Sequence, residues 1–300
     1  MKKKLLLVGG GVIATHYEKG LKNSPNYDIV ALSDLNPVCA ARGLFFAPFF
    51  VDYHEALGVR PEIAMISTST ASHFQIAKQL LLGGVSVICE KPMCDSYDKI
   101  LELCALSKEK NLDLGCLFHW IYADEVRYLN AHKEELGQIK DIKVTICDDY
   151  AKDGSVRPDR RGLCGAWLDS GINILSYLCR ICDLTDYELL IEDYEKDEES
   201  GQYMYAHRVY RFGSTTADIV IDWRTPKREK LSEIICERGV IDVNHSLQTV
   251  ELNGKTVYES PTKDRLSSHY SNAFAEYIPS KMELERTLLL HKILFEGTAQ

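Results

Sequence analysis

Lys4-Leu5-Leu6-Leu7-Val8-Gly9-Gly10-Gly11-Val12-Ile13-Ala14 is the stretch on which the fold turns. A short apolar run enters three glycines and then an amphipathic segment, Ile13 to Leu21, which is the order strand, tight turn, helix. The glycines fit G-x-G-x-x-A. In a parallel α/β unit that spacing has a physical meaning. Gly9 makes the turn, Gly11 lets main chain approach a pyrophosphate, and Ala14 permits close helix-to-sheet packing, while the first amides of the helix, at Val12 and Ile13, point at negative charge. A glycine turn also arises from packing alone, so weight passes to Asp34, about twenty residues on. It ends the second apolar run, Ile29 to Ser33, where a carboxylate accepts hydrogen bonds from the adenosine ribose and repels a 2'-phosphate. With Leu35 next in sequence, NAD is favoured over NADP; Arg42, further along, softens that preference.

The same texture continues to about residue 118. Strands are expected at Lys4 to Val8, Ile29 to Ser33, Ile63 to Ile66, Val85 to Cys89 and Leu114 to Phe118, with helices at Ile13 to Leu21, Val38 to Arg42, His73 to Leu82 and Ser96 to Lys108. This is a Rossmann-type, doubly wound parallel sheet over residues 1–120. After Leu136-Gly137 alternating strands take over: Ile139 to Cys147, Tyr187 to Tyr194, Met204 to Phe212, Thr216 to Trp223 and Leu231 to Cys236. Asn253-Gly254 reads as a hairpin turn. A long apolar helix, Trp167 to Cys182, interrupts them, and Ser267 to Tyr277 and Glu283 to Phe295 close the chain. Residues 121–300 are therefore expected to form an α+β domain with an open, mostly antiparallel sheet, its final helices being candidates to pack back on the Rossmann domain.

Composition narrows the partners. Among 300 residues, 44 acidic side chains outweigh 35 basic ones for a net charge of −9, and no long basic run breaks that balance, which argues against nucleic acid. No apolar stretch reaches the length of a membrane span. The basic, apolar opening resembles a signal peptide, but three glycines in mid-segment weaken such a helix, and a cytoplasmic chain is expected. Ten cysteines scattered through apolar segments read as reduced thiols, and Cys179 and Cys182, alone in their spacing, as structural. No metal site is expected.

Two further stretches carry a resemblance. Ile66-Ser67-Thr68-Ser69-Thr70-Ala71-Ser72-His73 and Gly84-Val85-Ser86-Val87-Ile88-Cys89-Glu90-Lys91-Pro92 resemble the Gfo/Idh/MocA family of glucose-fructose oxidoreductase and inositol dehydrogenase. Glu-Lys-Pro is the most specific signal. Leu136-Gly137-Gln138-Ile139, Asp169-Ser170-Gly171 and His269-Tyr270 follow in the family's order. The resemblance implies an NAD(P)-dependent dehydrogenase or reductase acting on CH–OH groups, with the nicotinamide near the domain junction, Lys91 beside it, and residues 121–300 serving substrate binding and oligomerisation. A hydroxyl that loses hydride must also lose a proton, and an ammonium on that oxygen stabilises the developing charge or relays the proton. By position, Glu90 and His73 are implied contacts of the nicotinamide ribose or of Lys91, and Thr68 a lining residue. His73 also has a plainer reading, a helix-start residue satisfied by local main chain.

Two departures stand out. Where the family shows Asp-x-Gly-x-His, this chain has Asp169-Ser170-Gly171-Ile172-Asn173; an amide holds a hydroxyl but does not titrate. Proton transfer would then fall to Lys91, with Asp169 or a water. His119, in Phe118-His119-Trp120, either replaces the missing base or packs beside Trp120. The loop with Arg157, Arg160 and Arg161 either grips an anionic substrate group or is a solvated surface loop. The leading expectation is hydride transfer between NAD and a secondary alcohol or ketone of a sugar, cyclitol or related polyol, by a homodimer or homotetramer. The alternatives are a dinucleotide-binding sensor or regulator without turnover, and a reductase of an unsaturated substrate.

Overall fold

The computed structural model describes residues 1–41 and 47–297, so Arg42 lies outside the described residues. The chain divides into two compact units, Met1–His119 with Leu266–Phe295, and a second built on Trp120–Arg265.

The first unit alternates β1 (Lys3–Val8), α1 (Val12–Lys22), β2 (Tyr27–Ser33), α2 (Val38–Ala41), β3 (Phe49–Phe50), α3 (Tyr53–Ala56), β4 (Ile63–Ile66), α4 (Thr70–Leu82), β5 (Ser86–Glu90), α5 (Tyr97–Lys110) and β6 (Leu114–Leu117). The strands pair in parallel in the order β3-β2-β1-β4-β5-β6. Leu5, Leu6, Leu7, Ile63, Ala64, Met65, Ile66, Val87, Ile88 and Cys89 are all fully buried, as strands covered on both faces require. The order reverses between β1 and β4, so the loops that follow these two strands flank the crevice where an open α/β sheet takes its ligand.

The second unit carries α6 (Asp124–Leu136), β7 (Ile139–Cys147), a small hairpin of β8 (Ala151–Lys152) and β9 (Ser155–Val156), α7 (Ile172–Ile181) and strands β10 (Tyr187–Lys196), β11 (Tyr203–Phe212), β12 (Thr215–Asp222), β13 (Glu229–Cys236), β14 (Gly239–Asn244), β15 (Thr249–Leu252) and β16 (Lys255–Glu259). Eight of them form one open sheet, β10-β11-β12-β7-β13-β14-β15-β16, antiparallel except where β12 meets β7. Alternation is clean in β12, whose odd positions from Thr215 to Ile221 are buried and whose even positions are not. The Asn253-Gly254 turn joins β15 to β16 with φ of 51° and 73°, the left-handed pair that a two-residue hairpin demands.

The last two helices, α8 (Arg265–Glu276) and α9 (Lys281–Phe295), return to the first unit. At the end of α8 the carbonyls of Phe274, Ala275 and Tyr277 accept from Ser24 Oγ (2.6 Å), Asn26 Nδ2 (3.0 Å) and Tyr27 OH (2.7 Å), so helix-end acceptors that lack intrahelical partners are met from the start of β2. Helix α9 covers the open edge of β6, where Cys116 N–H donates to Thr287 Oγ1 at 3.3 Å. Six elements lie outside the sequence-based expectations: β3, α3, α6, β8, β9 and β14. Asp124–Leu136 is too polar for its buried stripe of Val126 and Leu129 to stand out. No helix among the described residues is long and apolar enough to cross a membrane, and among the described residues no disulfide joins any of the ten cysteines.

Candidate active site

The glycine turn is built against β4. Gly9 has φ of +106°, its N–H donates to Ser33 O at 2.8 Å, and its carbonyl accepts from Ser67 Oγ at 2.9 Å. A Cβ at Gly9 would lie 2.7 Å from the Ser67 carbonyl carbon, so glycine is required by the fold itself. Gly11 differs. It caps α1 with φ of −69°, an ordinary value, and among the described residues a Cβ there would meet no atom within 4 Å beyond its immediate chain neighbours. No packing demand explains glycine at that position, whereas close approach of a pyrophosphate does. Val12, first in the helix, is 77% exposed, Ile13 is half-buried, and no side chain caps the helix start. The orphan amides there suit an anion. The half-buried Asp34 is held in place by its own acceptors: Oδ2 takes Gly10 N–H and Oδ1 takes Asn36 N–H, both at 2.7 Å. Each oxygen keeps lone-pair capacity for a ribose hydroxyl. These residues fit a dinucleotide.

At the end of β5, Glu90 is 5% exposed. Its Oε1 accepts from Tyr17 OH (2.6 Å) and Tyr270 OH (2.8 Å), and its Oε2 from Lys91 N–H (3.1 Å). Burial pushes the Glu90 carboxyl up, while the two phenols and then the Lys91 charge pull it down. Lys91 is half-buried and precedes a cis peptide to Pro92. His73, at the start of α4, is buried between the loop after β4 and the loop after β5, with Nε2 3.1 Å from Thr68 O and Nδ1 3.0 Å from Pro92 O; a neutral ring donates to one of these two carbonyls. Burial lowers its pKa, opposed by those carbonyls. Thr68 is half-buried, and its hydroxyl accepts from Ser72 Oγ at 2.7 Å.

His119, just past β6, is 5% exposed. Its Nδ1 lies 3.1 Å from Nδ1 of His269 on α8, with the rings stacked at 5.3 Å. One nitrogen must donate and the other accept, so the two rings share a single proton across that contact.

His291 on α9 completes this region. It is fully buried, with Nδ1 2.7 Å from Thr287 O and Nε2 taking Met93 N–H at 3.0 Å. Burial lowers its pKa to about 4, against the Thr287 carbonyl. An unfolded histidine titrates near 6.5, so between these values the unfolded chain binds a proton that the folded one refuses. This contribution to stability is complete above about pH 6.5 and is lost as pH falls toward 4, roughly 3 kcal/mol in all. Urea unfolding measured from about pH 7 to pH 4 should show that slope, and His291→Gln should flatten it. An unchanged slope in the glutamine variant would assign the loss to other groups.

Asp169 and Asn173 stand in the second unit. Asp169 lies in a π-helical turn, Trp167–Gly171, that leads into α7. The Arg208 guanidinium sits 4.3 Å from the buried Trp167 ring and is itself paired with Glu192, which anchors that turn. Asn173 Nδ2 donates to Asp169 O at 3.2 Å, and among the described residues its Oδ1 has no hydrogen-bond partner. The basic loop is spent on local contacts: Arg157 pairs with Asp149 (2.5 Å), Arg161 with Glu199 (2.6 Å), and Arg160 covers Tyr150 at 4.7 Å. That arrangement is the surface loop of the two alternatives.

Sequence reasoning brought Gly9, Gly11, Val12, Ile13, Asp34, Thr68, His73, Glu90, Lys91 and His119 to one unit. It missed the site supports Tyr17, Tyr270 and His291. A carboxylate closing an otherwise apolar strand was the available signal, because a buried Glu90 needs donors and a buried tyrosine needs an acceptor.

Comparison with known proteins bears on the fold. Residues 3–117 match the family described as "Oxidoreductase family, NAD-binding Rossmann fold" (GFO_IDH_MocA). YceM of Salmonella typhimurium is 27% identical over 113 residues, 34% of this chain, and the match spans only 37% of that relative's length. The dehydrogenase MviM from Clostridium difficile superposes with a TM-score of 0.78 at 20% identity, covering 98% of each chain. KijD10, a 3-ketoreductase from Actinomadura kijaniata in complex with NADP and TDP-benzene, gives 0.79 at 16% identity, covering 98% of this chain and 96% of its own. At those identities the likeness is one of fold.

Proposed function

We infer, from the match of residues 3–117 to the NAD-binding Rossmann fold of the Gfo/Idh/MocA oxidoreductase family, that the protein transfers hydride between a nicotinamide dinucleotide and a secondary alcohol or ketone of a sugar, cyclitol or sugar derivative. The observation that carries the inference is the pairing, at the carboxyl ends of strands in one parallel sheet, of a glycine turn open at Gly11 with a lysine set on a buried carboxylate. Gly9, Gly11, Val12 and Ile13 would hold the pyrophosphate, and Asp34 the adenosine ribose. Thr68, His73, Glu90 and Lys91 would form the nicotinamide half, His73 and Glu90 acting through the main chain they hold. The bound nicotinamide supplies the hydride acceptor or donor. Lys91 then stabilises charge on the substrate oxygen and passes its proton on. Asp169 and Asn173 are assigned to substrate hydroxyls, the open Oδ1 of Asn173 being an acceptor for one of them. No catalytic step is assigned to His119, since its Nδ1 faces His269. A homodimer or homotetramer is the proposed assembly; Leu190, Ile191 and Tyr194 on β10 are exposed apolar candidates for its interface.

NAD is the proposed cofactor, with NADP the weaker, because the Asp34 carboxylate pinned at the end of β2 opposes a 2'-phosphate. Calorimetric titration should give tighter binding of NADH than of NADPH, and Asp34→Ala should narrow that ratio by about tenfold or more. Binding of none of the pyridine dinucleotides would end the proposal. Asn173 also favours a second reading, a cofactor-binding sensor without turnover. NADH affinity with no turnover on any member of a panel of polyols, sugars and nucleotide sugars would favour it.

A further inference from the structure

Two peptide units just past β5, Glu90–Lys91 and Pro92–Met93, are met at three polar atoms by side chains of the first unit. Lys91 N–H donates to Glu90 Oε2, whose other oxygen is fixed by Tyr17 of α1 and Tyr270 of α8. The Pro92 carbonyl faces His73 Nδ1 of α4. Met93 N–H donates to His291 Nε2 of α9, 198 residues away in sequence. A main-chain amide has no lone pair to offer, so Nε2 must be the unprotonated nitrogen of His291, and Nδ1–H must donate to the Thr287 carbonyl one helical turn back. The ring is thus a neutral imidazole in one tautomer, packed between Phe118 (5.7 Å) and Phe295 (6.4 Å).

We propose that His291 is a positioning residue for Lys91, acting through Met93. Lysine has a long flexible stem, and its ammonium reaches a defined place only if the main chain beneath it does not move. With Glu90 on the Lys91 N–H and His73 beside the Pro92 carbonyl, the neutral Nε2 of His291, on the N–H of that same Pro92–Met93 peptide, is the third point that makes this segment of main chain rigid. A displacement of about 1 Å at a reacting group costs on the order of a hundredfold in rate, which is the scale on which such a support matters. The inference rests on the assignment of Lys91 to the nicotinamide half of the site.

The test uses two probes, NADH and ADP-ribose, the second lacking only the nicotinamide end. His291→Leu removes the acceptor, whereas His291→Gln can offer Oε1 to Met93 N–H. In His291→Leu, ADP-ribose affinity should stay within about twofold of the parent while the NADH advantage over ADP-ribose falls by about tenfold, and the Met93 amide should exchange its hydrogen faster. His291→Gln should restore both. If the leucine variant does not fold, His291→Asn, whose amide stops short of Met93, takes its place. A ratio unchanged in the His291 variant but reduced in Lys91→Ala overturns the role of His291 and leaves the assignment of Lys91 standing. A ratio unchanged in both sinks that assignment, and this inference with it.

Discussion

Lys91→Ala should bind ADP-ribose as the parent does yet turn over its best substrate about 10²- to 10⁴-fold more slowly, read as NADH absorbance. The magnitude follows from what the side chain is asked to do. Oxidation of a secondary alcohol leaves negative charge on oxygen as the hydride departs, and in a partly dehydrated site a cation beside that oxygen acts in a medium that screens it weakly. Lys91 is half-buried, and its main-chain N–H rests on a carboxylate locked by two phenols. Lys91→Arg keeps the charge but spreads it over a planar fork and should recover only part of the rate. Full activity in the alanine variant would remove Lys91 from the chemistry.

Gly9→Val and Gly11→Ala should fail in opposite ways. At Gly9 the backbone has φ of +106°, and an added Cβ would sit 2.7 Å from Ser67 C, 2.8 Å from Ser67 O and 2.9 Å from Thr68 N. These are main-chain atoms of the neighbouring loop, and no rotamer change moves them aside. Backbone strain of about 1–3 kcal/mol and overpacking of similar size together take a large share of the roughly 5–15 kcal/mol that holds a domain folded. The valine variant should therefore unfold at a much lower urea midpoint. At Gly11 an added Cβ would meet no atom of the described residues within 4 Å beyond its chain neighbours, and φ is ordinary. Gly11→Ala should leave the urea midpoint within about 0.5 kcal/mol of the parent's stability while weakening NADH binding in calorimetry. Undiminished NADH affinity in Gly11→Ala would mean that no pyrophosphate lies over that turn.

Much of the first unit is legible in sequence because its information is local. Glycine at residue 9 reports a backbone conformation, Asp34 a strand end, and the runs Ile63–Ile66 and Ser86–Glu90 a strand buried on both faces. The Asn253-Gly254 hairpin is equally local. Asp124–Leu136 was hidden because charged residues dominate its composition, and the arginines at 157, 160 and 161 were ambiguous because a charge in sequence does not name its partner.

What periodicity, turn chemistry and motif spacing determined by themselves was the pair of architectures, the glycine turn and the placement of Lys91 after a parallel strand. Tertiary structure alone decided what surrounds that lysine: Tyr17 on Glu90 across 73 positions, Tyr270 on the same oxygen across 180, and His291 on Met93 across 198. Helix and strand preferences act over a few residues. A buried carboxylate or amide instead takes whichever donor or acceptor the closing chain brings within about 3 Å, and that is a property of the packed fold.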